Sequence, residues 1–122
     1  MEGKDILYSP EFKKAVKPLA KKYSTLKESL KQLQFDICKD PYLGDAYGDG
    51  IYKVRLADES KNKGKSGGFR VMYYHLTTDT SGNVTGVLFL TIFNKSEADT
   101  IKSSAAKKLK DRILKSMGLL KA

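Results

Sequence analysis

Between residues 53 and 75 the chain gathers side chains suited to handling a phosphodiester. Arg55 and Arg70 keep their charge at any physiological pH and offer planar forks that match phosphate oxygens. Lys61, Lys63 and Lys65 lie in a polar stretch with three glycines, Asp58 to Gly68 (DESKNKGKSGG). Phe69, Tyr73, Tyr74 and His75 follow at once. Cations mixed with glycines and aromatics suit phosphate contact plus base stacking. Gly64, Gly67 and Gly68 lack the spacing of a nucleotide-cradling P-loop, so that use is set aside. With one His and one Cys, a multi-His metal centre, a cysteine zinc site and an intramolecular disulfide are all excluded. Cys38, near the end of an apolar stripe, reads as a buried inert thiol.

The rest of the composition agrees with a polyanionic partner. The formal charge is +9 over 122 residues, unevenly spread. Residues 1–48 carry +2, residues 49–76 carry +3, residues 77–104 carry −1 and residues 105–122 carry +5. A hydrophobic content of 40% is too high for a disordered basic tail and ordinary for one globular domain. No apolar run approaches the ~20 residues that cross a bilayer. The start MEGKDILYS does not read as a signal peptide. The expectation is a single soluble, cytoplasmic domain with no metal, cofactor or membrane partner.

Three strands and two flanking helical regions must position these side chains. Lys4 to Tyr8 reads as a short strand. Ser9-Pro10-Glu11 reads as a helix start, with Ser as N-cap and Pro in the first turn. Phe12, Ala15, Val16, Leu19, Ala20 and Tyr23 follow at helical spacing, and Pro18 predicts a kink or early break. Thr25 and Glu28 fit a capping box ahead of a second stripe, Leu26, Leu30, Leu33 and Ile37. Asp40-Pro41 ends it, and Leu43 to Gly50 reads as a turn-rich connector. Ile51 to Ala57 alternates, with Tyr52, Val54 and Leu56 on one face and Ile51, Lys53 and Arg55 on the other. Phe69 to Leu76 is a second strand of this group. Val84 to Phe93 is a third, apolar enough for a well-covered position. The last helix is expected from Ser96, with Glu97 and Asp99, through Ile101, Ala105, Leu109 and Ile113 to Gly118. The order β-α-α-β-β-β-α predicts an α+β fold: a small antiparallel-type sheet with an N-terminal helical hairpin and a C-terminal helix on one face.

Gly50 to Leu56 (GIYKVRL), Lys63 to Tyr74 (KGKSGGFRVMYY), Leu90 to Lys95 (LTIFNK) and the terminal helix together resemble the RelE/HigB family of bacterial toxins. These are the toxin halves of type II toxin–antitoxin pairs. The resemblance covers most of the chain and is most specific over residues 50–74. It implies entry into the ribosomal A site and cutting of mRNA, leaving a 2′,3′-cyclic or 3′-phosphate and a 5′-hydroxyl. Lys63 and Lys65 match the loop lysines, as base and phosphate ligands. Arg70 matches the strand arginine that stabilises the transition state, and Arg55 the one that holds the RNA backbone. Lys95 stands where the family places a further basic residue. RelE carries a catalytic Tyr in its last helix, whereas Ile101-Lys102-Ser103 has none; Tyr73, Tyr74 and His75 are the candidates to stand in. Tyr74 and His75 are expected to contact RNA. Tyr73 and Tyr74 must face opposite sides of a strand, so one of them belongs to the core.

The single His rules out a His-pair ribonuclease mechanism, and crowded cations favour the neutral amine that a lysine base needs. The partners implied are a cognate antitoxin, the ribosome with its mRNA, and operator DNA through the antitoxin complex only. Two other readings belong to the same fold: a ParE-like toxin that binds DNA gyrase without cutting RNA, and an RNA-binding module without catalysis. For Arg70 a structural ion pair to Asp49, Asp58 or Glu59 is the simpler alternative.

Overall fold

A computed structural model describes residues 4–58, 68–94 and 101–119. Among these residues five strands and three helices form a mixed α+β domain. The elements are β1 (Asp5–Tyr8), α1 (Pro10–Lys22), α2 (Leu26–Lys39), β2 (Asp45–Gly48), β3 (Ile51–Leu56), β4 (Phe69–Thr78), β5 (Val84–Asn94) and α3 (Ser103–Ser116). The sheet order is β1-β5-β4-β3-β2. The sheet is mixed rather than purely antiparallel, because β1 runs parallel to β5. None of the helices among the described residues is long and apolar enough to cross a membrane.

The helix start at Ser9 forms as its sequence predicts. The Ser9 hydroxyl accepts from the Phe12 N–H at 2.9 Å and donates to the Leu90 carbonyl at 2.8 Å. One buried side chain therefore caps α1 and ties it to β5. Pro18 does not end α1, which continues to Lys22. Pro18 lacks the N–H that would bond the Lys14 carbonyl, and it lies with Lys14 on the exposed side of the helix. The capping box at Thr25 and Glu28 is absent. Thr25 makes no side-chain cap bond; its hydroxyl donates to Asp58 Oδ1 at 2.8 Å, and the Ser29 hydroxyl donates to the same oxygen at 2.6 Å. Asp58 is only 6% exposed, and it fastens the exit of β3 to the first turn of α2. Its replacement by alanine leaves two hydroxyls without their acceptor. Asp58→Ala is expected to lower the unfolding free energy by about 2–3 kcal/mol. Urea unfolding checks this, as a lower midpoint at unchanged slope.

The connector predicted from Leu43 to Gly50 contains the edge strand β2, paired with β3. Asp49 and Gly50 both have positive φ, 58° and 80°, as a tight two-residue hairpin turn demands. The last helix starts at Ser103, later than the expected Ser96, and Lys102 occupies the N-cap position; Ser96, Glu97 and Asp99 lie outside the described residues. Its other end matches expectation. Gly118 has φ 73°, its N–H reaches the Lys115 carbonyl and that of Leu119 reaches Leu114, which is a Schellman stop.

The helices do not share one face of the sheet. Phe12, Leu26, Leu33 and Ile37 from α1 and α2 pack with Val54, Leu56, Phe69, Val71, Tyr73, Val87 and Phe89. Ala106, Ile113 and Leu114 from α3 pack with Ile51, Met72, Leu88 and Leu90 on the other side. Strand alternation divides the sheet residues between the two layers. A chain with apolar residues on both sides of β4 and β5 must cover both. Cys38 is buried and free, as expected.

Candidate nucleic-acid interface

Antiparallel pairing of β3 and β4 sets Arg55 directly opposite Arg70. Residues opposed in this way share a face, with Cβ atoms about 5 Å apart. On the next strand Phe93 pairs with Arg70. The row Arg55–Arg70–Phe93 therefore crosses three strands on the α3 side of the sheet. Arg55 is exposed, while Arg70 and Phe93 are half-buried. The Arg70 guanidinium donates to the Phe69 carbonyl at 3.3 Å. Like charges set opposite each other on a sheet repel, unless an anion lies between them. Two guanidinium forks on one face can grip a phosphate, and Phe93, half-buried against the α3-side core, leaves part of its ring beside them for stacking.

Two of the three acids considered as structural partners for Arg70 are engaged elsewhere. Asp58 holds the hydroxyls of α2 described above. Asp49 pairs with Lys110, which also meets Asp111 at 2.7 Å. Glu59 lies outside the described residues. So do Lys63, Lys65 and Lys95, the sequence-predicted catalytic lysines.

The remaining predicted residues are spread out. Tyr74 lies on the Arg face, but four residues along β4 from Arg70, roughly 13 Å away at strand rise. It packs with the α3 core, and the Lys110 ammonium lies 5.5 Å from its ring centre. His75 is on the opposite face. Its Nε2 lies 2.6 Å from the Pro41 carbonyl oxygen, and its ring stacks on Tyr52 at 4.8 Å. The sheet therefore separates His75 from the arginine pair. Tyr73 is the core member of the Tyr73–Tyr74 pair. It is fully buried and donates to the Leu43 carbonyl at 2.6 Å. Burial above all, then the charge of Asp40, pushes its phenol well above the ordinary tyrosine value. It does not serve as a proton donor near the arginines.

Sequence reasoning did not single out Phe93 or Tyr47 for this face. Tyr47 sits under the Lys53 ammonium at 5.2 Å. The period-two alternation that put Lys53 and Arg55 together carries the signal for Phe93 as well, once the β4–β5 register is known.

At the far end of this face, α3 is latched to the sheet. Lys110 is 7% exposed and bonds to Asp49 in the β2–β3 turn. Burial works against the Lys110 charge, but hydrogen bonds to Asp111 and Asp49 outweigh it, and its pKa ends above the usual lysine value. The bond from Lys110 in turn holds the Asp49 carboxyl below the usual carboxylate range, with the charges of Lys110 and Lys107 adding to it against some desolvation. The folded-state value thus lies below the unfolded one. The contribution to stability is complete above about pH 4 and is lost as pH falls through the lowered value. In Lys110→Met the Asp49 carboxyl is expected to titrate higher, near the ordinary value, by NMR. A curve unchanged from the parent would show that Lys110 does not set it.

No family model matches the chain.

Proposed function

We propose that the protein is a toxin of the RelE/HigB kind, a metal-independent endoribonuclease that cuts mRNA on the ribosome and so inhibits translation. The observation that carries this reading is the Arg55–Arg70 cross-strand pair with Phe93 beside it, built from the stretch where the sequence resemblance is most specific. In this mechanism the guanidiniums take the non-bridging phosphate oxygens and stabilise the charge that grows in the transition state. The RNA 2′-oxygen attacks phosphorus, its proton passes to a base, and the bond to the 5′-oxygen breaks as that oxygen gains a proton. By the resemblance, Lys63 and Lys65 serve as base and phosphate ligand, and Lys95 adds charge. The ribosome supplies in-line geometry, so free RNA is cut poorly. A cognate antitoxin is the protein partner, and operator DNA is reached only through the antitoxin complex. The site of action is the cytoplasm.

The test is a translation reaction with purified ribosomes and a defined mRNA, read by primer extension. Codon-phased cuts that require ribosomes support the nuclease. Intact mRNA from active protein overturns it.

A specific observation favours one rival, RNA binding without catalysis. Ile101-Lys102-Ser103 carries no Tyr, and neither Tyr74 nor His75 adjoins the arginine pair. In that case ribosome-bound mRNA is retained but uncut. A gyrase-binding toxin would leave translation intact and alter supercoiling instead.

A further inference from the structure

The two helices on the layer opposite the arginine pair leave an open groove of about 890 Å³. Its floor is apolar, formed by Phe12, Val16, Ala20 and Leu30 with Tyr8 at one end. Val16, Ala20 and Leu30 are only half-buried, so aliphatic surface is left to cover. The rim is lysine. Lys13, Lys14, Lys17 and Lys21 line it from α1, and Lys27 and Lys31 from α2. All six are exposed, and no carboxylate lines the groove among the described residues. Lys13, Lys17 and Lys21 are spaced four apart, which makes a row of roughly 12 Å along one helix face. A Lys27–Lys31 step repeats that spacing on the other helix.

We propose that this groove docks an acidic amphipathic helix of a partner protein, its apolar stripe on the floor and its carboxylates along both lysine rows. Helix-in-groove recognition uses this combination of apolar anchors and flanking charge. The floor disfavours nucleic acid. Its aliphatic side chains give a phosphodiester nothing to bond, and its rings are already engaged. Tyr8 and Phe12 stack at 5.5 Å, and both pack on Phe89 at 5.3 and 5.4 Å. The Tyr8 hydroxyl donates to Gln34. A lipid surface fits poorly too, because the apolar groups are buried or half-buried while the lysines are the exposed side chains, so no apolar side chain of the groove is free to insert. The groove and the arginine pair lie on opposite faces of the sheet, so an occupant of one leaves the other open. The inference holds whether or not the chain cuts mRNA.

The probe is a capped synthetic peptide of about 18 residues, roughly 27 Å as a helix, with Leu at helical spacing and Glu on both flanks. Amide NMR shifts on the whole protein are expected to be saturable and confined to α1 and α2. Binding should weaken with salt and fall about tenfold in Lys17→Glu/Lys31→Glu. Both positions are exposed, so that variant should keep the parent Tm. Arg70→Ala should bind the peptide as the parent does, which separates this test from that of the nuclease. Absence of saturable shifts at millimolar peptide, shifts centred on other elements, or unchanged affinity in the double variant would overturn the proposal. So would tighter occupancy of the same helices by single-stranded RNA or by phosphatidylglycerol vesicles.

Discussion

Arg70→Ala is expected to reduce ribosome-dependent mRNA cleavage by about 10²–10³-fold, the range lost when one preorganised charge-stabilising donor is removed. Its thermal stability should stay close to the parent's. The two effects separate because of where Arg70 sits. It is half-buried near the start of β4, opposite Arg55 across the β3–β4 ladder, and its one side-chain hydrogen bond given by the structure, to the Phe69 carbonyl, is long at 3.3 Å. What is lost is the packing of its half-buried stem and that weak bond, so the net change should be within about 1 kcal/mol. Arg70→Lys keeps the charge but not the fork, and should recover only part of the activity. A structural role predicts the opposite pattern. An arginine that mainly buttressed the strands would lose stability and activity together, and lysine would restore both in proportion. Primer extension beside calorimetry on the three proteins distinguishes them. Parent-level cutting by Arg70→Ala would remove the arginine pair from the mechanism.

The strands around that pair were legible because their signals are local. Alternation over Ile51 to Leu56 assigned Arg55 to one face and Val54 to the other, and both faces are as read. Ser9-Pro10 and Gly118 were legible for the same reason: a cap is decided within a few residues. What failed needed distant partners. Thr25 and Glu28 have capping-box spacing, but the acceptor that claims Thr25 is Asp58, 33 positions away. The parallel pairing of β1 with β5 leaves no mark in either segment. The stretch Leu43 to Gly50 looked like a linker because its glycines dominate the pattern, although Asp49-Gly50 is a hairpin signal in its own right. His75 was grouped with the arginines by sequence proximity. Its position one step past Tyr74 sends it to the other face, and Pro41 and Tyr52 hold it there.

Gly44→Ala should be among the most damaging single substitutions in the chain, at a position the sequence marks only as part of a turn. Gly44 has φ 96°, a conformation that an L side chain adopts at a cost of about 1–2 kcal/mol. A Cβ there would also lie 2.9 Å from the Lys53 carbonyl carbon and from Val54 Cα, and closer still to the Lys53 carbonyl oxygen. These are backbone atoms of β3, so no rotamer change relieves the contact; the strand itself must shift. Overpacking of this kind adds about 1–3 kcal/mol. The sum, roughly 2–5 kcal/mol, corresponds at about 4 °C per kcal/mol to a fall in Tm of roughly 8–20 °C for a domain of this size. Gly82 supplies the control. Its φ of 87° is nearly the same, but an added Cβ meets nothing within 4 Å, so Gly82→Ala should show the conformational cost alone, about 1–2 kcal/mol. Equal losses in the two variants would mean that the approach to β3 costs nothing. The expected excess in Gly44→Ala has a functional consequence. The displaced atoms belong to Lys53 and Val54, and Arg55 is the next residue. Any Gly44→Ala protein that still folds should therefore show, besides a lower Tm, a weakening of the RNA contact proposed for the arginine pair.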